Sequence, residues 1–152
     1  MKLMLIIIIL VLFIVSIIII RNLKDTYISE VVVAKPFDVV WEWISNPLKY
    51  AEIYPNWIKS VEQRSQNIFQ VQDQFGSTYD IELIANKIYG IVDLSIGPEI
   101  SRSRLYALDE HRTAIVHFSK RLKNSSLIVW FFHKLTTDKD LKHAKKIIEQ
   151  AR

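Results

Sequence analysis

The chain opens on a block with almost no polar position and then changes to short, alternating periods. From Leu3 to Ile20 only Ser16 is polar, and the block ends at Arg21. As a helix it would run roughly 27 Å, close to the ~30 Å hydrocarbon core of a bilayer. Its end, Ile-Ile-Ile-Ile-Arg-Asn-Leu-Lys, offers no small-residue cleavage site. An uncleaved transmembrane helix over 3–20, within an anchor and exit of 1–24, is therefore expected rather than a signal peptide. Lys2 precedes the span while Arg21, Lys24 and Lys35 follow it. That asymmetry leans the rest of a single-pass membrane protein towards the cytoplasmic side.

Residues 25–152 read as one domain. Residues 26–34 are rich in β-branched side chains and predict a strand. Pro36 ends it and suits the first turn of a helix, where its missing N–H costs nothing. Phe37, Val40, Trp41 and Ile44 then fall on one helical stripe. Asn46-Pro47 breaks that helix and starts a second short one to about Ile53, and Tyr54-Pro55-Asn56-Trp57 is a turn. Strands are predicted over 58–64, 68–74, 78–86, 89–96, 100–109 and 113–120. The connections are short, such as Gly76-Ser77, Asn86-Lys87 and Gly97-Pro98, and favour an antiparallel meander. Ser126 opens an apolar piece, LIVWFFHKL, read as a short helix or a strand-to-helix transition. Thr137 and Asp140 have the spacing of a capping box and predict a helix starting there. Leu141, Ala144, Ile147, Ile148 and Ala151 form its apolar face, with Lys142, Lys145 and Lys146 on the solvated side. The fold class is α+β: a transmembrane helix, then an antiparallel sheet with two short helices and a long C-terminal helix laid across it.

Composition narrows the chemistry. The net charge is +4 with no long basic run, which does not fit nucleic-acid binding. There is no cysteine, which removes disulfides, thiolate nucleophiles and thiolate metal sites. His111, His117, His133 and His143 show no His-x-x-x-His spacing, and Gly76, Gly90 and Gly97 form no phosphate loop. No metal and no cofactor are expected.

The order of elements resembles the START-like, or SRPBCC, superfamily and its helix-grip fold. The stretches that carry the resemblance are Val33-Ala34-Lys35-Pro36-Phe37-Asp38-Val39-Val40-Trp41, then Asn46-Pro47-Leu48-Lys49-Tyr50 with Tyr54-Pro55-Asn56-Trp57. The closing Asp140-Leu141-Lys142-His143-Ala144-Lys145-Lys146-Ile147-Ile148-Glu149 resembles the family's last helix. Lys35 departs from the usual Ala before Pro, and the strands carry no ligand signature. The resemblance, closest to a membrane-anchored polyketide cyclase/dehydrase-like member, implies a curved sheet around the C-terminal helix. It also implies an elongated cavity for an apolar or amphipathic ligand, commonly a lipid, sterol, polyketide or other aromatic.

Asp93, Arg104 and His117 are the candidate catalytic residues, provided all three point inward. They would then give an apolar cavity a polar end able to hold a carboxylate or hydroxyl, or to move a proton. The plainer reading is a solvated face, or an Asp–Arg pair that satisfies itself. Trp41, Tyr54, Trp57, Tyr79 and Trp130, with Arg104 and His117, are the candidate ligand-lining residues, although such aromatics more often belong to a core. Trp130-Phe131-Phe132 cannot all face one core from a helix, which suggests a membrane-contacting lip. Three functions follow: binding of a hydrophobic small molecule, a cyclase, dehydratase or hydrolase using the same cavity, or a non-catalytic domain for a membrane-protein partner.

Overall fold

The computed structural model describes residues 2–22, 25–96, 99–121 and 127–151. Its elements are α1 (Lys2–Asn22), β1 (Thr26–Val33), α2 (Phe37–Ile44), a 3₁₀ turn (Pro47–Lys49), α3 (Tyr50–Ile53), β2 (Ile58–Gln63), β3 (Ile68–Asp73), β4 (Thr78–Asn86), β5 (Ile91–Ile96), β6 (Glu99–Asp109), β7 (Arg112–Arg121) and α4 (Leu127–Gln150). The expected turn at Gly97-Pro98 and the opening at Ser126 lie outside the described residues.

The expected transmembrane helix is not found. Among the described residues no helix is long and apolar enough to cross a membrane. The single-pass placement, the tether and the cytoplasmic lean, all derived from that span, fall with it.

All seven strands form one antiparallel sheet in the order β1-β7-β6-β5-β4-β3-β2. The meander from β2 to β7 is the one the short connections predict, and β1 closes the sheet by pairing with β7. Local chemistry shapes the turns. Asp73 ends β3 and its Oδ1 accepts the backbone N–H groups of Phe75 and Ser77 at 2.9 and 2.8 Å, which turns the chain into β4. The fifth strand begins at Ile91 rather than at residue 89, because Gly90 adopts φ +61° and stops the extended run.

The concave face carries the core: Val33, Phe69, Val71, Ile81, Val92, Leu105 and Ile115 from the sheet, Val40, Ile44, Tyr50 and Ile53 from the short helices. The long helix covers it. Buried positions along α4 are 130, 133, 137, 140, 141, 144 and 148, each three or four residues from another, a single helical stripe. No helix starts at Thr137. Its hydroxyl instead donates to the carbonyl of His133 at 2.8 Å, one turn back inside a continuous helix.

The C-terminal end of α4 is fastened to the end of β1. Glu149 accepts the Ala34 N–H at 2.7 Å, and Lys35 Nζ donates to the Ala151 carbonyl at 2.6 Å. Lys145, expected on the solvated side with Lys142 and Lys146, donates to the Val32 carbonyl at 2.6 Å and reaches Glu149 at the same distance. In the other half of α4, His133, Thr137 and Asp140 face a cavity beside the sheet.

Candidate ligand cavity

Strand register decides which side chains meet under that half of α4. Across β1, β7 and β6, Ser29 stands opposite His117, which stands opposite Ser103. One step along, Tyr27 pairs with Ser119 and Ser119 with Ser101. Both rows belong to the concave face, since alternate residues of a strand share a side. Ser29, Ser101, Ser103 and Ser119 are all buried. The imidazole of His117 lies among three of these hydroxyls: Nδ1 is 3.0 Å from Ser103 Oγ, and Nε2 is 3.0 Å from Ser119 Oγ and 3.5 Å from Ser101 Oγ. Each hydroxyl can donate or accept, so the cluster suits either neutral tautomer.

A cavity of about 60 Å³ opens between this floor and α4. Leu94, Ser101, Ser103 and His117 line it from the sheet, His133, Thr137, Asp140 and Leu141 from the helix, and Tyr50, Tyr54, Trp57 and Ile58 from the α3–β2 corner. That volume exceeds the roughly 10–15 Å³ needed to hold one water, so the space admits water or part of a small molecule.

Asp140, Trp57 and Tyr50 hold the corner in place. The Asp140 carboxylate accepts the Asn56 backbone N–H at 3.1 Å and its side-chain amide at 2.6 Å. The Trp57 indole donates to the Tyr79 hydroxyl at 3.0 Å and its ring lies 4.4 Å from that of His133. Tyr50 donates to the Ile44 carbonyl at 2.7 Å. Burial raises the pKa of Asp140, against the lowering effect of its Asn56 hydrogen bonds and of His133 and His143 nearby. Burial and then the Asp140 charge push the Tyr54 phenol well up, so it remains a neutral hydroxyl. Beside the cavity, Ser29 donates to Asp138, and Tyr27, whose pKa burial and the Asp138 hydrogen bond raise to about 12, bonds the same carboxylate. Burial opposes the Asp138 charge, but the Ser29 and Tyr27 bonds outweigh it and leave that pKa lowered.

The expected inward trio separates. His117 is on the concave face. Asp93 and Arg104 occupy the alternate positions of β5 and β6, on the other side of the sheet from Leu94, Ser101 and Ser103. There Arg104 Nη1 and Nη2 both donate to the Asp93 carboxylate, and Arg102 Nε stands 3.9 Å from it. Arg104 and Asp93 are therefore not among the residues that line the cavity, and they pair with each other. Of the ligand-lining candidates, Tyr54, Trp57 and His117 line the cavity. Tyr79 acts behind Trp57 through their hydrogen bond. Trp41 is half-buried and stacks on Phe37 at 6.0 Å, packed against the core. Trp130 is 3 % exposed, with its ring 5.9 Å from His133, and is no membrane lip; Phe132 is the exposed member of that run.

Serines 101 and 103, Thr137, His133 and Asp140 are lining residues that the sequence reading passed over. The serines had a signal: in Ser101-Arg102-Ser103-Arg104 the arginines need solvent or an ion pair, so the alternation turns the serines inward. Asp140 and Thr137 were hidden by their resemblance to a helix cap.

No protein-family model matches the sequence, and no curated protein matches it. Solved structures do. The Zhui aromatase/cyclase from Streptomyces sp. R1128 aligns at a TM-score of 0.67 and 17 % identity over 82 % of this chain and 93 % of its own. A START superfamily protein from Mycobacterium smegmatis aligns at 0.61 and 14 %, over 82 % and 94 %. Truncated norcoclaurine synthase from Thalictrum flavum aligns at 0.59 and 12 %, over 84 % and 94 %. The chain thus has the START-like helix-grip fold; at these identities the similarity shows the fold alone.

Proposed function

We propose that the domain binds a small hydrophobic molecule between the concave face of the sheet and α4. The observation that carries this reading is the cavity itself, with apolar walls from Tyr50, Tyr54, Trp57, Ile58, Leu94 and Leu141 and a polar end from Ser101, Ser103 and His117. Apolar walls with a few convergent polar groups are the usual make-up of a small-molecule site. The START-like fold supports it, since its aligned neighbours include an aromatase/cyclase. Toluene, a single apolar ring, tests the reading through thermal melts. A ligand that binds only the folded state at a hundred times its Kd adds about 2.7 kcal/mol. Toluene should therefore raise Tm in the wild type and not in Leu94→Trp, whose indole fills the cavity. Equal melts with and without toluene would count against binding.

A second reading is catalysis of the cyclase kind, and His117 is the observation that favours it. Its two ring nitrogens are engaged by hydroxyls on the cavity floor, a position from which an imidazole can take a proton from a bound carbonyl compound. Deuterium exchange at the central carbon of acetylacetone, followed by NMR, tests this. The protein should accelerate exchange, and His117→Gln should not; equal rates would remove the catalytic reading and leave binding intact.

A further inference from the structure

Building on the binding reading, we propose that the ligand presents an uncharged, hydroxyl-bearing end to the serine–histidine floor, which discriminates against a carboxylate. Three observations converge on this. The floor is made of groups that both donate and accept: Ser101, Ser103 and Ser119 within 3.0–3.5 Å of the His117 ring nitrogens. A ligand hydroxyl is the matching partner, because it too donates and accepts. No lysine or arginine is among the described residues that line the cavity. The arginines of β6 face the other side, where Asp93 engages both Arg102 and Arg104. The charged residue that does face the cavity is a carboxylate, Asp140, buried at 4 % exposure with two donors from Asn56 on one oxygen.

A carboxylate ligand would lose its hydration, find no lysine or arginine in that lining, and lie near a second negative charge. Burying an ion without a counter-charge costs far more than burying a hydroxyl that finds its hydrogen bonds. A hydroxyl exchanges its water contacts for the serines and His117 at little net cost. The ring of such a ligand would rest against Trp57, Leu94 and Leu141.

Four probes of nearly equal size separate the possibilities: toluene, phenol, benzoate and benzylammonium, titrated calorimetrically into the full-length protein at mildly alkaline pH. Phenol should bind at least tenfold more tightly than benzoate, and more tightly than benzylammonium. In the double variant Ser101→Ala, Ser103→Ala, the advantage of phenol over toluene should fall by about tenfold, as expected for two hydrogen bonds of ordinary strength. The wild-type ranking stands as a test even if the double variant does not fold. Benzoate equal to or tighter than phenol would overturn the inference, as would benzylammonium ranking first, which would make Asp140 the reader of the ligand. An unchanged phenol advantage in the variant would also overturn it. Each of those three results leaves the binding reading standing. Binding of none of the four probes removes that reading and this inference together.

Discussion

Gly90 shows how one residue can hold the sheet together. It adopts φ +61°, and a Cβ placed there would lie 2.1 Å from the Leu105 carbonyl oxygen. Its own carbonyl accepts the Leu105 N–H at 2.9 Å, so the close approach is part of the β5–β6 edge. Gly90→Ala should cost about 3 kcal/mol, from the left-handed backbone and the backbone clash together. Gly76→Ala is the matched control, with φ +87° and nothing within 4 Å of the added carbon, and should cost about 1 kcal/mol. Urea unfolding of both variants measures the difference. Asp140 gives a second test at this scale, with the sign set by its raised pKa. The folded protein holds this proton to higher pH than the unfolded chain does. Its contribution is therefore fully present below the ordinary aspartate range and is lost as pH rises through the raised folded value. Asp140→Asn keeps a carbonyl for the Asn56 donors and removes the ionisation. Relative to the variant, wild-type stability should fall as pH rises through that acidic window; parallel pH profiles would show that burial of Asp140 carries no such penalty.

At the scale of elements, hydrophobic period was legible wherever one period ran unbroken. The alternation of Tyr79, Ile81, Leu83 and Ala85 and the stripe Phe37, Val40, Trp41, Ile44 both became the elements they predict. Two elements were misread for physical reasons. Thr137 and Asp140 mimic a helix start in spacing, but both are buried beside the cavity within a continuous α4. The N-terminal apolar block met the length criterion in the sequence, yet the described residues contain no helix able to cross a membrane. The corrected α4 makes its own prediction. Ile148 is fully buried, so Ile148→Ala should cost about 2–4 kcal/mol. Exposed Lys142→Ala should stay within about 0.5 kcal/mol. Lys145→Ala should fall between them, at about 0.5–1 kcal/mol, for loss of its bonds to the Val32 carbonyl and Glu149. Equal values for Lys142 and Lys145 would show that the β1–α4 fastening contributes nothing.

For the whole molecule, the element order carried the fold, whereas the candidate site was only partly written in it. His117, Tyr54 and Trp57 were recognisable as candidates and do line the cavity. Arg104 and Asp93 were not separable from them, because a strand's inward face depends on a register that only the paired strands fix. That single parity exchanges an aspartate–arginine–histidine end for a serine–histidine one and narrows the chemistry expected of the ligand. The central claim is that the space between the sheet and α4 receives a small apolar molecule. Native mass spectrometry of the full-length protein, incubated with an organic extract of its own host cells, tests it most directly. A discrete bound mass on the wild type, released on denaturation and absent from Leu94→Trp, is the predicted result. A clean unliganded mass for both proteins, or an identical adduct on both, would contradict it.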